Sequence, residues 1–338
     1  MEKGIFVKDI SERAPVSGVF LIDAASQALT KGGRAYWNLR LADATGSVDA
    51  KLWHPLSTSF PKIDKGALAS VKGRAELFRE RIQVNIEAFA PLAEDVGEAD
   101  WRLFTRVSPR DPGEMFRELR QLCLQEFRHP HWRKLVLAIL GDAGVSSALQ
   151  TIPAAKNMHH AYRGGLLEHT LSVFNLCRSI CDRYPSLDRQ TLLAGALLHD
   201  IGKIREFSGG LNNDYTDVGR LVGHIVLGAS LLEPFLRESE LDERLKEHLV
   251  HLILSHHGEY EYGAARLPQT AEAFVLHYAD NLDAKLAQFA NLFNDDPSRE
   301  WSDYQRGLDR FLFNPFRTPD APRESRARDA ECLSLLKE

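Results

Sequence analysis

The sequence predicts a multidomain chain with its β and α structure segregated, a small five-stranded closed barrel first and an all-α helical bundle after it. Three observations predict this. The run 36–53 alternates apolar and polar residues on either side of a turn, as a half-buried hairpin does. The run 192–198 is Leu, Ala and a single Gly, the composition of a helix buried on every side. Several further segments with helical spacing turn a His or an Asp toward their apolar face, where a solvated residue is not expected.

In chain order, strand-like runs occupy 18–23, 36–43, 47–53, 67–72 and 82–89, which suits a small closed barrel. Within the central hairpin, alternation places Trp37, Leu39, Leu41, Val48, Ala50 and Leu52 on the core face. Tyr36, Asn38, Arg40, Lys51 and Trp53 fall on the other face. Aromatic rings set among cations form a platform for unpaired bases, so this face is a candidate nucleic-acid surface. The competing expectation is that Tyr36 and Trp53 pack under a loop or against the second domain. The acidic, hydrophobe-poor segment 94–100 reads as a linker. Beyond it, helical spacing runs over 114–127, with Asp111 or Ser108 as the cap, and again over 132–140. His129 and His131, flanking Pro130 at a helix boundary, are expected at the surface or in a turn.

The apolar run at 192–198 leads into His199-Asp200, with Gly202 just beyond as the expected left-handed closing residue. An ionised carboxylate beside an imidazole in a core is costly unless something pairs with it. A divalent metal would serve, and so would a hydrogen-bonded core pair. Neighbouring segments favour the metal. His169 shares a face with Leu166 and Val173, His224 with Leu227, Gly228 and Leu231, and Asp280 with Leu276 and Ala284. His256, with His257 beside it, follows Leu252 and Ile253 by one turn. One inward His is most often a satisfied core residue, whereas five segments in series point to a metal centre.

Nitrogen and carboxylate donors without thiolates suit manganese, iron, cobalt, nickel or zinc better than a site built for calcium; manganese is the expected ion, with cobalt, iron, nickel, magnesium or zinc as alternatives. Seven donors, His169, His199, Asp200, His224, His256, His257 and Asp280, are too many for one ion with an open position and suit two ions sharing Asp200. Such a pair activates a water and clamps a phosphoryl group for in-line attack. Phosphodiester hydrolysis is therefore the favoured reaction, with His199, Asp200 and Lys203 as catalytic residues. A basic cluster of Lys156, His159, His160 and Arg163 precedes the first donor, and Lys203 and Arg205 follow the doublet. Of these, His160, Arg163, Lys203 and Arg205 are candidates for holding the substrate phosphate, although His159 and His160 are equally suited to bonding their own loop. His277 is a candidate support for a donor. Cys177 and Cys181, one turn apart, are read as core packing.

The ordered series His169, His199-Asp200 and Asp280, with Gly202-Lys203 after the doublet, resembles the HD-domain superfamily of metal-dependent phosphohydrolases, and His224 with His256-His257 resembles its two-metal members. The stretch from 158–169 to 279–285 is similar to the bacterial YhaM-type exoribonucleases. The hairpin pattern Tyr-x-Asn-Leu-x-Leu-x-Asp-x-Thr-Gly-x-Val-x-Ala-Lys-x-Trp at 36–53 is similar to nucleic-acid-binding OB-folds. That family also carries an N-terminal OB-fold, so the resemblance covers nearly the whole chain. It implies an OB-type β-barrel followed by an HD-domain helical bundle. It also implies an enzyme that trims single-stranded RNA, with single-stranded DNA as a second substrate, from the 3′ end to nucleoside monophosphates. The expected divisions are an OB-fold at 1–92, a linker and connecting helices at 93–150, the HD domain at 151–295, and a docking segment and tail at 296–338. In the last, the aromatic cluster 311–316 needs burial and is expected to dock on the body, with 317–328 as an exposed tail.

A composition of 44% hydrophobic and 26% charged residues excludes disordered and fibrous classes. The net charge of −5 excludes a global basic footprint, so any nucleic-acid contact must be local. The opening residues have no apolar core of signal-peptide length and no run spans a bilayer, so cytoplasmic residence without a membrane partner is expected. A homo-oligomer is compatible with this composition. No Walker-type loop, dinucleotide fingerprint or serine-hydrolase elbow competes. Two other functions stay open. A small-nucleotide or cyclic-dinucleotide phosphohydrolase needs no stacking hairpin, and a nucleic-acid-binding factor with a vestigial metal site needs no intact donor set.

Overall fold

The computed structural model describes residues 2–92, 100–156, 160–211, 213–294 and 298–315. Most of the expected linker (93–99), His159 and the tail from 316 onward lie outside the described residues. Strands β1 (Pro15–Leu29), β2 (Ala35–Asp43), β3 (Gly46–Leu52), β4 (Leu68–Phe78) and β5 (Arg81–Pro91) close a barrel in the order β1-β2-β3-β5-β4. Its neighbours are antiparallel except β3 with β5, which run parallel. This is the five-stranded OB-type barrel that the sequence predicts. The alternation of the central hairpin holds, for Trp37, Leu39, Leu41, Val48, Ala50 and Leu52 are all buried, with Phe20, Ile22, Val71 and Val84 around them.

Two strands run well past their expected ends: β4 continues to Phe78, and β1 departs further. β1 extends well beyond 18–23, because its first half pairs with β4 and its second half with β2, with an irregularity between Ile22 and Ala24. A bulge of this kind lets one strand serve two partners around a tight barrel. The second half alternates only between half-buried and exposed residues, so hydrophobic periodicity does not reveal it.

The helical part comprises α1 (Trp101–Phe104), α2 (Pro112–Glu126), α3 (Pro130–Gly141), α4 (Ala143–Leu149), α5 (Gly165–Arg183), α6 (Arg189–Leu198), α7 (Lys203–Glu206), α8 (Asp217–Val222), α9 (His224–Glu238), α10 (Glu243–Ser255) and α11 (Ala271–Asn294). Asp111 caps α2 by accepting from Glu114 N at 2.9 Å, and Pro112 fills a first-turn position that lacks an intrahelical N–H bond. Pro130 likewise opens α3 two residues before the expected start. α6 is the centre of the bundle, with every residue from Thr191 to Leu198 buried. Gly195 lets α10 approach it, since a Cβ there would lie 2.5 Å from Leu252 Cδ2.

Gly202 does not close α6 in the left-handed region, as the sequence suggested; its φ is −65° and the chain continues into α7. The glycine is required for another reason. A Cβ on it would lie 1.9 Å from His224 O, so only glycine admits the start of α9 at this point.

The barrel and the helices share a seam in which Phe104 packs with Val19, Leu21 and Leu68, and Leu211 from the α7–α8 loop joins them. By compactness the chain divides into Met1–Ala287 and Gln288–Glu338. In the second unit Trp301 faces Phe313 with ring centroids 4.9 Å apart, and Tyr304 faces Phe311 at 5.3 Å. No helix among the described residues is long and apolar enough to cross a membrane.

Candidate active site

Five stretches of the bundle bring the expected donors together. His169 lies in the second turn of α5, His199 and Asp200 follow α6, His224 opens α9, His256 and His257 follow α10, and Asp280 lies within α11. Each imidazole is held by its Nδ1. His199 Nδ1 donates to Ala196 O at 3.0 Å and His256 Nδ1 to Ile253 O at 2.7 Å, both using carbonyls that a helix end leaves open. His257 Nδ1 donates to Tyr262 O at 2.6 Å, His224 Nδ1 to Glu206 Oε1 at 3.2 Å and His169 Nδ1 to Asp283 Oδ2 at 2.7 Å. Every acceptor is an oxygen, so every Nδ1 carries its hydrogen and the Nε2 atoms are left to ligate.

These Nε2 atoms gather around the two oxygens of Asp200. Oδ2 lies 3.5 Å from His169 Nε2 and 3.4 Å from His199 Nε2, while Asp280 Oδ1 lies 3.1 Å from His169 Nε2. Oδ1 lies 3.5 Å from His224 Nε2 and 3.7 Å from His256 Nε2. His224 Nε2 and His257 Nε2 are 3.2 Å apart, as are His169 Nε2 and His199 Nε2. Two imidazole lone pairs at that distance repel unless a proton or a cation lies between them. Asp200 Oδ1 and His256 Nε2 are buried with no hydrogen-bond partner, a costly state for polar atoms. The trios His169/His199/Asp200 and His224/His256/His257 each bring ligand atoms within 4.8 Å of one another. The residues therefore fit a divalent metal. The trio His160/His169/Asp283 is different, because Asp283 Oδ2 sits at hydrogen-bond distance from both imidazoles and this network holds protons.

Charge divides the two groups. Burial pulls the His169 pKa down, but hydrogen bonds to Asp280 and Asp283 and the charges of Asp280 and Asp200 outweigh it and raise it to about 9. Burial and the neighbouring His256 push His257 down to about 4, and burial also lowers His256. Burial opposes ionisation of Asp200, yet Lys203 and His199 hold its carboxyl well below the usual range. Lys203 Nζ donates to Asp200 Oδ2 at 2.6 Å. The partly exposed donors are His224, His257 and Asp280, so the centre opens on their side.

The expected phosphate cations do not stay together. His160 is buried, with Nε2 3.1 Å from Asp283 Oδ2 and Nδ1 2.9 Å from Tyr162 Oη, so both ring nitrogens are engaged in supporting the residue that orients His169. Its φ of +47° turns the side chain inward. Arg163 also stands apart from the donors. Gly164, at φ +78°, turns the chain into α5, and the Arg163 guanidinium lies 4.3 Å from the Trp101 ring in a cleft lined by none of the seven donors. Lys203 sits at the centre, and Arg205 is exposed on α7. His277 Nδ1 donates to His256 O at 2.9 Å and so braces the α10 end.

Two residues were missed. Asp283 accepts from His169, His160 and Ser172, and Glu206 accepts from both Nδ1 and the backbone N of His224. Asp283 stands one turn after Asp280, a spacing that was available as a signal. Glu206 resembles any surface charge until the fold places His224 against it.

On the barrel, Tyr36 and Trp53 stack on each other, with centroids 4.6 Å apart and planes 27° from parallel. Lys51 lies 5.4 Å over the Tyr36 ring and donates to Asn38 Oδ1, and Arg40 pairs with Asp49 at 3.6 Å. Trp53 Nε1 donates to Asn85 Oδ1 at 3.0 Å, a partner on β5 that the hairpin alone does not show.

Removing an orienting carboxylate should loosen the metal. Asp283→Asn is expected to weaken metal affinity by roughly 10–100-fold with the helical fold retained; unchanged affinity in a calorimetric titration would show that His169 needs no such support. Uptake must also displace the extra proton on His169. Below about 9 the affinity should rise with pH, up to about ten-fold per unit for each proton displaced, and level off above it. Titration at neutral pH in two buffers of different ionisation enthalpy reads that proton directly, and zero net release would contradict the assignment.

Comparison with known proteins accords with this geometry. A family model described as "HD domain" matches residues 166–285, a span that contains all seven donors. For the N-terminal part, the solved second OB-fold domain of replication protein A from Methanococcus maripaludis is similar at 18% identity, covering 28% of this chain and 98% of that one, with a TM-score of 0.24. The 3′-5′ exoribonuclease YhaM of Bacillus subtilis (strain 168) is 33% identical over 288 residues, 85% of this chain and 89% of the relative. That of Shouchella clausii (strain KSM-K16) is 32% identical over 313 residues, 93% of this chain and 96% of the relative. Identity sustained at this level along nearly the whole of both chains places this one in the YhaM family of HD-domain 3′-5′ exoribonucleases.

Proposed function

We propose that this chain is a metal-dependent phosphodiesterase that degrades single-stranded RNA, and single-stranded DNA as a second substrate, from the 3′ end to nucleoside monophosphates. One observation carries the reading: a buried carboxylate, Asp200, lies between two sets of Nε2 donors with its Oδ1 and His256 Nε2 lacking hydrogen-bond partners. His169, His199, Asp200 and Asp280 would hold one ion, and Asp200, His224, His256 and His257 a second. Two divalent ions bound there, manganese first, supply the Lewis acidity and the activated water that phosphodiester cleavage needs.

The chain's own residues supply the rest. The fixed Nδ1 bonds preset the donor directions, so little reorganisation accompanies reaction. Lys203 keeps Asp200 ionised and places a positive charge at the edge of the centre, where a phosphate would feel it. Arg205, exposed on α7, is the other phosphate cation this reading retains. In the division we propose, 1–92 holds the strand, 93–150 connects, 151–295 cleaves and 296–338 docks. Tyr36, Asn38, Arg40, Lys51 and Trp53 form the nucleic-acid face, and the chain works in the cytoplasm.

The test is 5′-labelled single-stranded RNA incubated with metal-stripped protein and then with manganese. A ladder shortening from the 3′ end is expected only with metal, and none is expected for Asp200→Ala. Elemental analysis should approach two ions per chain and fall to about one for the His256→Ala, His257→Ala double variant. Immediate release of the labelled 5′ nucleotide, or cleavage of a cyclic dinucleotide in place of RNA, would overturn the reading. For the barrel, Tyr36→Ala with Trp53→Ala should weaken binding of long RNA by about 1–3 kcal/mol for each base stack removed. The loss on a dinucleotide should be far smaller, and equal losses would assign these rings to the fold.

A further inference from the structure

Asp214, in the loop between α7 and α8, is surrounded by more positive charge than one carboxylate can balance. It accepts from Lys156 Nζ at 2.6 Å, Lys65 Nζ at 3.0 Å and Arg220 Nη2 at 3.1 Å. The three cations come from separate places: the approach to β4, the approach to α5, and α8 itself. A single ion pair would fasten the loop. Three cations on one anion repel one another, and among the described residues no other carboxylate lies within ion-pair distance of them. Two positive charges thus remain uncompensated on a chain whose net charge is −5. All three side chains stay open to solvent, at 29%, 40% and 60% exposure for Lys156, Lys65 and Arg220.

An aromatic ring stands in their midst. Tyr215 is 38% exposed, packs one side against Phe207 at 5.0 Å, and has Lys156 and Arg220 at 5.6 Å and 5.8 Å from its ring. Its backbone pairs with Phe207, the residue directly after Glu206, which anchors His224. At the other side of the loop, Leu211 packs on the barrel beside Leu68. The cluster therefore lies on ground shared by the donor set and the barrel. Lys156, against partial burial, and then Lys65 and the Tyr215 backbone N–H hold the Asp214 carboxyl well below its usual range, so it remains an organising anion at any working pH.

We propose that Lys65, Lys156, Arg220 and Tyr215 form a subsite for the single-stranded nucleic-acid backbone between barrel and metal centre, the cations taking phosphates and Tyr215 stacking one base. Asp214 prearranges the cations, and the strand's phosphates supply the missing negative charge. This rests on the exoribonuclease reading and adds to it a place where the strand is gripped outside both the barrel face and the donors.

The test uses the full chain in EDTA with a fluorescein-labelled RNA dodecamer, read by anisotropy across a range of KCl, and separately the metal-loaded protein on dodecamer and dinucleotide. Lys156→Gln with Arg220→Gln should weaken dodecamer binding about ten-fold or more and flatten the log–log salt slope by about 0.7 for each phosphate that is no longer neutralised. Tyr215→Leu, which keeps the packing on Phe207, should also weaken binding by about ten-fold with little change in slope. Lys156→Arg keeps the charge and should bind like the parent. The loss in turnover should be at least ten times greater on the dodecamer than on the dinucleotide. Parent-like affinity and slope in the charge variants, with or without a lower melting temperature, would make the cluster a latch and overturn the subsite. Equal losses on both substrates would also overturn it. Parent protein that binds the dodecamer but leaves it uncut in every metal overturns hydrolysis and leaves the subsite standing. Parent protein that cuts RNA while the variants bind it equally well does the reverse.

Discussion

Everything in the helical part is arranged around one buried carboxylate. Asp200 is 3% exposed, and the penalty for holding an ionised group there is of the order of several kcal/mol unless opposite charge meets it. Lys203 meets one oxygen, and the other has no hydrogen-bond partner. The apolar surface of α6 makes this burial unavoidable. Gly202 then admits α9, and with it His224, to within reach of the unsatisfied oxygen. The donors are held in turn by backbone carbonyls or by carboxylates behind them, so their directions are set by the fold.

Most of this was legible in the sequence because each donor had to sit on an apolar helical face, and a His or Asp there violates the pattern that makes the helix visible. The barrel hairpin was legible for the corresponding reason at period two. What escaped has physical causes. The second half of β1 carries no hydrophobic alternation, since no residue after Ile22 is fully buried there. Proximity in sequence grouped His160 with Arg163, but two positive-φ residues, His160 and Gly164, send their side chains to opposite destinations. Glu206 carries no pattern of its own, because its work is done across a contact between α7 and α9 that only the fold creates, whereas Asp283 left a trace in its one-turn spacing from Asp280. Gly202 stands out in the sequence as a helix-closing residue, but close approach of a neighbouring helix, and not a left-handed turn, excludes a side chain there.

The junction between the two parts has a similar logic. Phe104 and Leu211 bury themselves on the barrel wall made by Val19, Leu21 and Leu68, so the loop that follows α7 is tied at one end to the donor set and at the other to the barrel. The stack of Tyr36 on Trp53 is fastened to β5 through Asn85, which fixes the ring orientation from a strand that is distant in sequence and parallel in space. Rigidity of this kind lowers the entropy lost when a flexible strand is captured.

The spread of the donors along the chain has a consequence for stability. They belong to stretches from His169 to Asp280, while the described cysteines, Cys123, Cys177 and Cys181, are buried free thiols that staple nothing. An ion held by such a set acts as a cross-link, closing loops that a disulfide would close in a secreted protein, and by mass action it favours the folded chain over the unfolded one. The same few atoms would then govern both catalysis and cohesion of the bundle. Metal supply would tune how long the protein survives as well as how fast it works.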